Sequence, residues 1–174
     1  MPKYKFDELN CSIADALELI GEWWTILILR EAFFGTRRFE DFQQQLGIAR
    51  NILTARLRKL CDSGVLERVP VKQGAKRQEY KLTQMGRDLQ PTLIALIQWG
   101  DRWLHSATGA PVKFVERASG KEIAKIAVLT KDGRAMQARD LALLPGPGAN
   151  AKTRERLRQI KITWEQRNTD SIKN

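Results

Sequence analysis

Residues 47–82 form the stretch that most restricts the fold, because a helical run leads directly into two strand-like runs. The helical run covers residues 50–63 and ends at Gly64. Residues 65–71 and 78–82 have the composition of short strands, and the basic loop 72–77 joins them. A helix with an exposed polar face followed by a basic hairpin is the layout of a winged DNA-binding module.

The same stretch is one of the two strongly cationic parts of the chain; the other, residues 111–174, carries fourteen basic and seven acidic side chains. Residues 49–81 carry nine basic and three acidic side chains, a net charge of +6, within a total of +10. Residues 1–48 carry five basic and eight acidic side chains, a net charge of −3. A local cationic region of this kind favours a polyanionic partner, and its position on a helix and a hairpin predicts double-stranded DNA.

Three further helices are predicted before this stretch. The first covers residues 11–20, and the second, 22–34, is apolar nearly all round, which is typical of a buried central helix. The third runs from Arg37 to Gly47, where the glycine suits a left-handed helix end. Arg37 and Arg38 lie at its start, and both phosphate contact and simple solvation remain open for them.

The helix at 50–63 has two distinct faces. At about 100° per residue, Leu53, Leu57 and Leu60 share the face that packs on the core. Small and polar side chains on the outer face suit entry into a DNA major groove. The residues predicted to face the groove are Arg50, Asn51, Thr54, Ala55 and Arg58.

The loop of the hairpin carries three cations, Lys72, Lys76 and Arg77, with Gly74 for flexibility. Cations at an exposed loop tip can reach phosphates or a narrow minor groove. We therefore predict that these three side chains contact the DNA at the flank of the recognition helix.

A long helix is predicted over residues 83–105, with Thr83 as its N-cap. Its apolar positions exceed one stripe, so it is expected to bury two faces. The second face predicts a homodimer, as a reader of two DNA half-sites requires, with packing inside the monomer as the alternative. The main apolar stripe is read as Leu89, Leu93, Leu96, Ile97, Gly100, Trp103 and Leu104, with Ile94 and Trp99 off it.

Beyond this helix the apolar period changes to two, which predicts a small antiparallel β extension with a hairpin turn at 131–134. The expected organisation is a winged helix-turn-helix and dimerisation domain at 1–109, the β extension at 110–149 and a basic helix or tail at 150–174. The predicted tail helix covers 153–167. Added DNA affinity, packing on the hairpin and disorder all remain open for it.

Several function classes are disfavoured by what the sequence holds. Two cysteines and one histidine provide no metal cluster and no His-based catalytic pair, so no cofactor, no metal and no enzyme activity are predicted. The most apolar run, 23–29, is far shorter than the ~20 residues of a membrane helix. With no visible signal peptide, we expect a cytoplasmic protein that has no membrane partner.

Five short motifs distributed over residues 11–105 form a combination that is more specific than any one of them. They are Cys11, Ile20-Gly21-x-Trp23-Trp24, Gly35-x-x-Arg38-Phe39-x-x-Phe42, Leu53-Thr54-x-Arg56-Leu57 and Glu79-Tyr80-x-Leu82-Thr83-x-x-Gly86. In these motifs the chain resembles the HxlR-type winged-helix transcriptional regulators, relatives of the MarR group. The resemblance implies a homodimeric bacterial DNA-binding regulator whose first and last helices form the dimer and whose fourth helix enters the major groove. It also makes Cys11 a candidate redox sensor, whereas Cys61 is expected to be a small core residue.

These observations predict a mainly α fold with a β-wing, and a sequence-specific regulator that represses from a pseudo-palindromic operator. Two other readings stay open: a winged-helix protein-interaction module, and a non-specific architectural DNA binder.

Overall fold

A computed structural model describes residues 9–72, 77–105 and 107–172, with side chains described as far as residue 163. These residues divide into two compact units. One unit is Ala16–Ile126 and contains the wing and most of the helices. The other unit combines residues 9–15 with residues 127–172.

Two helices open the fold. Helix α1 covers Ser12–Ile20 and helix α2 covers Trp23–Phe34. The turn between them is tight, because the amide of Gly21 donates to the carbonyl oxygen of Leu17 at 2.7 Å. A Cβ atom on Gly21 would lie 2.4 Å from the same oxygen, so a larger residue would force this turn open.

Helix α2 is the central element of the Ala16–Ile126 unit. It contacts the helices Phe39–Leu46, Arg50–Asp62 and Gln90–Leu104 and the strand Gln78–Leu82. Ile28 and Leu29 are fully buried on it. The prediction of burial all round is wrong at its two ends, since Trp23 and Phe34 are exposed. Trp23 stacks on Trp24 with ring centroids 4.0 Å apart, so a neighbour on the same helix shields only one side of its ring.

Helix α3 (Phe39–Leu46) and helix α4 (Arg50–Asp62) form the helix-turn-helix, and strands β1 (Leu66–Pro70) and β2 (Gln78–Leu82) form the wing. The strands pair antiparallel, with Leu66 opposite Leu82 and Arg68 opposite Tyr80. These elements confirm the predicted winged helix-turn-helix. Its shared core is apolar and includes Ile28, Leu29, Phe42, Ile48, Leu53, Leu57, Leu60, Val65 and Leu66.

Two helices follow the wing where one was predicted for residues 83–105. Helix α5 covers Gln84–Arg87 and helix α6 covers Gln90–Leu104. Pro91 explains the break, because it has no amide hydrogen to donate to the carbonyl of Arg87 and it favours the first turn of a helix. The predicted cap is confirmed, since the Thr83 hydroxyl accepts a hydrogen bond of 3.2 Å from the Gly86 amide.

The faces of α6 also differ from the predicted stripe. Leu93 is buried, whereas Leu96, Trp103 and Leu104 of that stripe are exposed. Leu96, Trp99 and Trp103 have the i, i+3, i+7 spacing of one helix face, and 52%, 55% and 61% of their surface is exposed. Helix α6 therefore has an inner apolar face and a second one turned to solvent, which we name the tryptophan face (Leu96, Trp99, Trp103).

The predicted β extension is smaller than expected. Strands β3 (Val128–Leu129) and β4 (Ala135–Met136) have two residues each, and an isolated bridge joins Val115 and Glu122. The predicted hairpin turn is present, with the Thr130 amide donating to the Arg134 carbonyl at 2.9 Å and Gly133 at φ 86°. Most apolar side chains here are exposed, so little packing holds longer strands together.

A 3₁₀ turn at Ala138–Asp140 and helix α7 at Ala151–Ile172 complete the chain. Helix α7 is longer than the predicted 153–167. The Asn10 side chain lies at its start, where the Asn10 carboxamide oxygen accepts from the Asn150 amide and the Thr153 hydroxyl, each at 2.9 Å. Every helix in the described ranges is too short or too polar to cross a bilayer.

Candidate nucleic-acid interface

The turn between α3 and α4 sets the direction of the recognition helix. Gly47 ends α3 at φ 60°, a left-handed conformation that its missing Cβ permits, and its amide donates to the Gln43 carbonyl at 3.0 Å. Ile48 is buried directly after it. With Leu53, Leu57 and Leu60 of α4 anchored in the core, the opposite side of α4 is turned outward.

The five residues predicted to face the groove all lie on that outward side and are all exposed. They line a single open surface depression: Arg50, Asn51, Thr54, Ala55 and Arg58. The Arg50 guanidinium sits 5.0 Å from the ring centroid of Phe39, a cation–π contact that restricts its rotation. The geometry thus brings together the set that the sequence singled out.

Thr54 is exposed, and its hydroxyl group also makes a hydrogen bond within α4. Its hydroxyl donates to the backbone carbonyl of Arg50, one turn earlier, at 2.8 Å. Because that hydrogen is already committed, the hydroxyl can only accept from a ligand.

A groove lies between α4, the start of α3 and the wing. Four arginines line it, Arg38, Arg50, Arg68 and Arg77, together with Glu40 and Asp41. The Arg68 guanidinium lies 5.6 Å from the ring centroid of Tyr80. Arg68 was not among the predicted contacts, although strand alternation from Leu66 would have placed it on the same side of the wing as Tyr80.

The described part of the wing loop is exposed at Lys72 and Arg77. The Val71 amide donates to the Arg77 carbonyl at 3.1 Å, so the two strands stay paired as far as the base of the loop. Lys76, the third predicted loop cation, lies outside the described residues.

Arg37 and Arg38 precede α3 and are exposed. The Arg37 carbonyl oxygen accepts a hydrogen bond of 2.8 Å from the amide of Tyr80, which joins the start of the helix-turn-helix to the wing. Arg38 lies 4.0 Å from the Glu79 carboxylate, a half-exposed contact with little energetic weight.

Two cations of the +6 segment serve the fold instead. Arg56 forms a 3.0 Å ion pair with Glu22 just before α2, and its Nε atom is buried without a hydrogen bond. The Lys59 ammonium donates to the carbonyl oxygen of Glu18 in α1. The local charge of the sequence therefore overstates the charge available to DNA.

The two cysteines lie in different surroundings. Cys11 is exposed, while Cys61 is partly buried on α4. Burial raises the pKa of the Cys61 thiol above its ordinary value, and nearby Arg68 partly opposes that effect. Burial likewise raises the pKa of Tyr80. Within the described ranges, no three His, Cys, Asp or Glu side chains gather as a metal site would require.

Comparison with known proteins identifies relatives of this arrangement. The profile of the HxlR-like helix-turn-helix family matches residues 19–108, which include α2 to α6. An uncharacterized HTH-type transcriptional regulator of Mycobacterium tuberculosis, Rv3095, is 45% identical over 141 residues, which is 81% of this chain and 89% of the relative.

Solved structures agree with this grouping. PA1607, a candidate transcription factor, is 40% identical with a TM-score of 0.75, covering 81% of this chain and 99% of its own. PA1374 of Pseudomonas aeruginosa, another candidate transcription factor, is 40% identical with a TM-score of 0.59, covering 84% and 99%. In both cases the similarity extends well beyond the winged helix.

Proposed function

The chain belongs to the HxlR-like helix-turn-helix family and is a transcriptional regulator with a helix-turn-helix DNA-binding domain; from this premise we propose that it binds a pseudo-palindromic operator as a cytoplasmic homodimer and represses transcription. The observation that carries the proposal is the outward face of α4, whose polar and small side chains lie exposed beside a groove lined by arginines. Membership in a family of regulators also supports the expectation that the chain is not an enzyme.

Base reading is assigned to α4. Arg58 and Asn51 have the side chains that pair with guanine and adenine edges, respectively. The γ-methyl group of Thr54 and the Ala55 methyl group suit contact with the C5-methyl group of thymine. Arg50, held on Phe39, stands at the first turn of the helix, where it can contact a base or the adjacent phosphate.

Backbone contacts are assigned to the flanks. Lys72, Lys76 and Arg77 of the wing hold phosphates or the minor groove, and Arg37 and Arg38 hold phosphates before α3. We add Arg68, since it lines the same groove as Arg50 and Arg77. The first turn of α4 supports this geometry as well, because its N-cap, Ala49, leaves the free amides without a side-chain partner, and such amides favour a phosphate.

The apolar surface that the monomer leaves exposed supports the homodimer. The tryptophan face of α6 and the exposed Leu17 of α1 lie on the two helices that the family resemblance assigns to dimerisation. Aromatic residues on such a face are typical of protein interfaces. Two recognition helices in one dimer would bind half-sites roughly 34 Å apart.

Selection of bound sequences from a random DNA pool tests the function directly. A palindromic consensus is the expected result. Binding without sequence preference would instead identify an architectural protein, and no salt-dependent DNA binding would identify an interaction module. Transcription of a reporter placed behind the selected operator then separates repression from activation.

Sedimentation tests the dimer. The Trp103→Glu variant is expected to sediment as a monomer, with weaker binding to the full operator than the wild type. Lys121→Glu, an exposed residue outside the tryptophan face, is the control and should stay dimeric. A wild-type protein that sediments as a monomer while it binds the full operator tightly would refute the dimer.

Redox control is assigned to Cys11, a free cysteine that is exposed at the start of α1. A peroxide would oxidise the thiolate to a sulfenic acid and be reduced to water or an alcohol. DNA binding by the wild type should then change with peroxide, and binding by Cys11→Ser should not. An identical peroxide response in Cys11→Ser would exclude Cys11 as the sensor.

A further inference from the structure

A cavity of about 330 Å³ lies within the Ala16–Ile126 unit, between α2, α6 and residues 112–115. Its lining is largely apolar and includes Phe33, Phe34, Leu93, Ile97 and Phe114. This volume is within the range of roughly 300–1,000 Å³ that is usual for small-molecule sites. None of the residues assigned to DNA contact lines the cavity.

The outer wall of the cavity is held in place by its own contacts. The Ile123 amide donates to the Phe114 carbonyl at 3.0 Å, and Val115 bridges to Glu122. Gln98 of α6 fixes the end of this segment, since its side-chain oxygen accepts from the Ile126 amide at 2.8 Å. The rings of Phe114 and Phe34 are 6.5 Å apart at their centroids. The cavity is therefore present before any ligand arrives.

The charged side chains in the lining are both cationic, Arg30 and Lys113. Arg30 donates to the Glu31 carboxylate through Nε and Nη2, at 3.2 and 2.7 Å. Lys113 is different: its side chain is 70% exposed, and its ammonium lies 3.7 Å from Glu122, beyond hydrogen-bond distance. Lys113 thus keeps donors for an anion at the solvent edge of the cavity.

We propose that this cavity binds a small aromatic molecule with one negative charge, a carboxylate or a phenolate. The ring would lie among the phenylalanine and aliphatic side chains, and the anion would contact Lys113. An apolar lining with a few convergent polar groups is the usual composition of such sites. This binding does not depend on DNA, so its failure is distinguishable from failure of the proposed function.

Titration calorimetry of the intact protein with 1-naphthoate tests the site, and 1-naphthalenemethanol serves as the probe with a similar ring and no charge. Lys113→Gln should lower the affinity for 1-naphthoate about tenfold, because one charge-assisted contact is lost. The same variant should change the affinity for the alcohol less than about twofold. Val112→Trp places a larger side chain in the lining and reduces the space in the cavity, so it should lower the affinity for both probes. Lys121→Gln, on the same segment but outside the lining, should leave both unchanged.

Lys113 is exposed, so the Lys113→Gln variant is expected to fold like the wild type, which its thermal unfolding will verify. The proposal is overturned if the wild type binds no 1-naphthoate, or if Lys113→Gln leaves its affinity unchanged. It is also overturned if Trp103→Glu abolishes binding while Val112→Trp leaves it intact, because the probe would then occupy the tryptophan face.

Discussion

Gly86 lies so close to the backbone of Val65 that a Cβ atom on it would be 2.2 Å from the Val65 carbonyl oxygen. The same carbonyl accepts a hydrogen bond of 3.2 Å from the Thr83 amide. The end of the wing, the start of α5 and the start of β1 therefore meet at a point that has no room for a side chain.

Gly86→Ala should lower the free energy of unfolding by about 2 kcal/mol or more, because the clash involves backbone atoms that cannot rotate away. Gly100→Ala is a matched control, since nothing lies within 4 Å of its Cβ position and it sits inside α6. That change should stabilise by about 0.5–1 kcal/mol. Urea unfolding at one protein concentration measures the free energy of unfolding of both variants. An equal change in the two variants would contradict the close contact at Gly86.

Arg58→Ala should weaken operator binding by about 1–3 kcal/mol and relax the preference at one base position, as expected for a bidentate contact with guanine. Competition titrations with operators that differ at single positions measure both effects. Lys121→Ala removes a cation outside α3, α4 and the wing and should change neither. An Arg58→Ala variant with wild-type affinity and base preference would show that the assigned face of α4 is wrong.

Lys76→Ala should weaken binding to every sequence alike and reduce the slope of log affinity against log salt by about one, because one phosphate contact is lost. Lys72→Ala should behave in the same way. Titrations at several salt concentrations, with operator and with unrelated DNA, give the slopes. A loss confined to the operator would assign these lysines to base reading instead.

Thr54→Ser should weaken operator binding by about 1 kcal/mol, because it removes the γ-methyl group and keeps the hydroxyl that bonds to Arg50. Thr54→Val keeps a γ-methyl group and loses only a hydrogen bond within the helix, so its affinity for the operator should be close to that of the wild type. The reverse order of affinities would mean that the hydroxyl oxygen, as an acceptor, makes the contact.

Cys61 should react with iodoacetamide more slowly than Cys11, because it is partly buried and burial raises the pKa of its thiol. Mass spectrometry of the time course separates the two sites.

The pKa of the Cys61 thiol is higher in the folded state than in the unfolded state, so folding favours the neutral thiol. The contribution of this thiol to stability is complete below its unfolded pKa of about 8.5 and is lost as the pH rises through its folded pKa. Stability should therefore fall above that pH, and less so in Cys61→Ala.

The exposed face of α4 could be predicted because it depends on local geometry alone: Leu53, Leu57 and Leu60 fix which side of the helix is buried. The partners of individual cations could not be predicted in the same way. Arg56 pairs with the Glu22 carboxylate, and Lys59 donates to the backbone carbonyl of Glu18. Both contacts form only because the α1–α2 turn packs beside α4, which is a long-range arrangement. Counting charges along the sequence therefore identified a cationic surface and overestimated the number of cations that it leaves free of partners within the fold.

The exposed tryptophans illustrate a second limit. Periodicity identified α6 as apolar on more than one side, but it placed Trp99 off the main stripe and did not separate the inner face from the outer one. Burial of Leu93 inside the unit separates them. Local pattern gives the amount of apolar surface, whereas the neighbours of the helix decide which part of it is covered.

Asn10 bonds to the start of α7 across a separation of 140 residues along the chain. The Ala16–Ile126 unit is thus an insertion between two segments that must meet to build the other unit. Closing so long a loop costs conformational entropy, and a folded insert lowers that cost by limiting how far its ends can separate. Assembly of the second unit is accordingly expected to depend on prior folding of the winged helix, and Asn10 is where the two segments join.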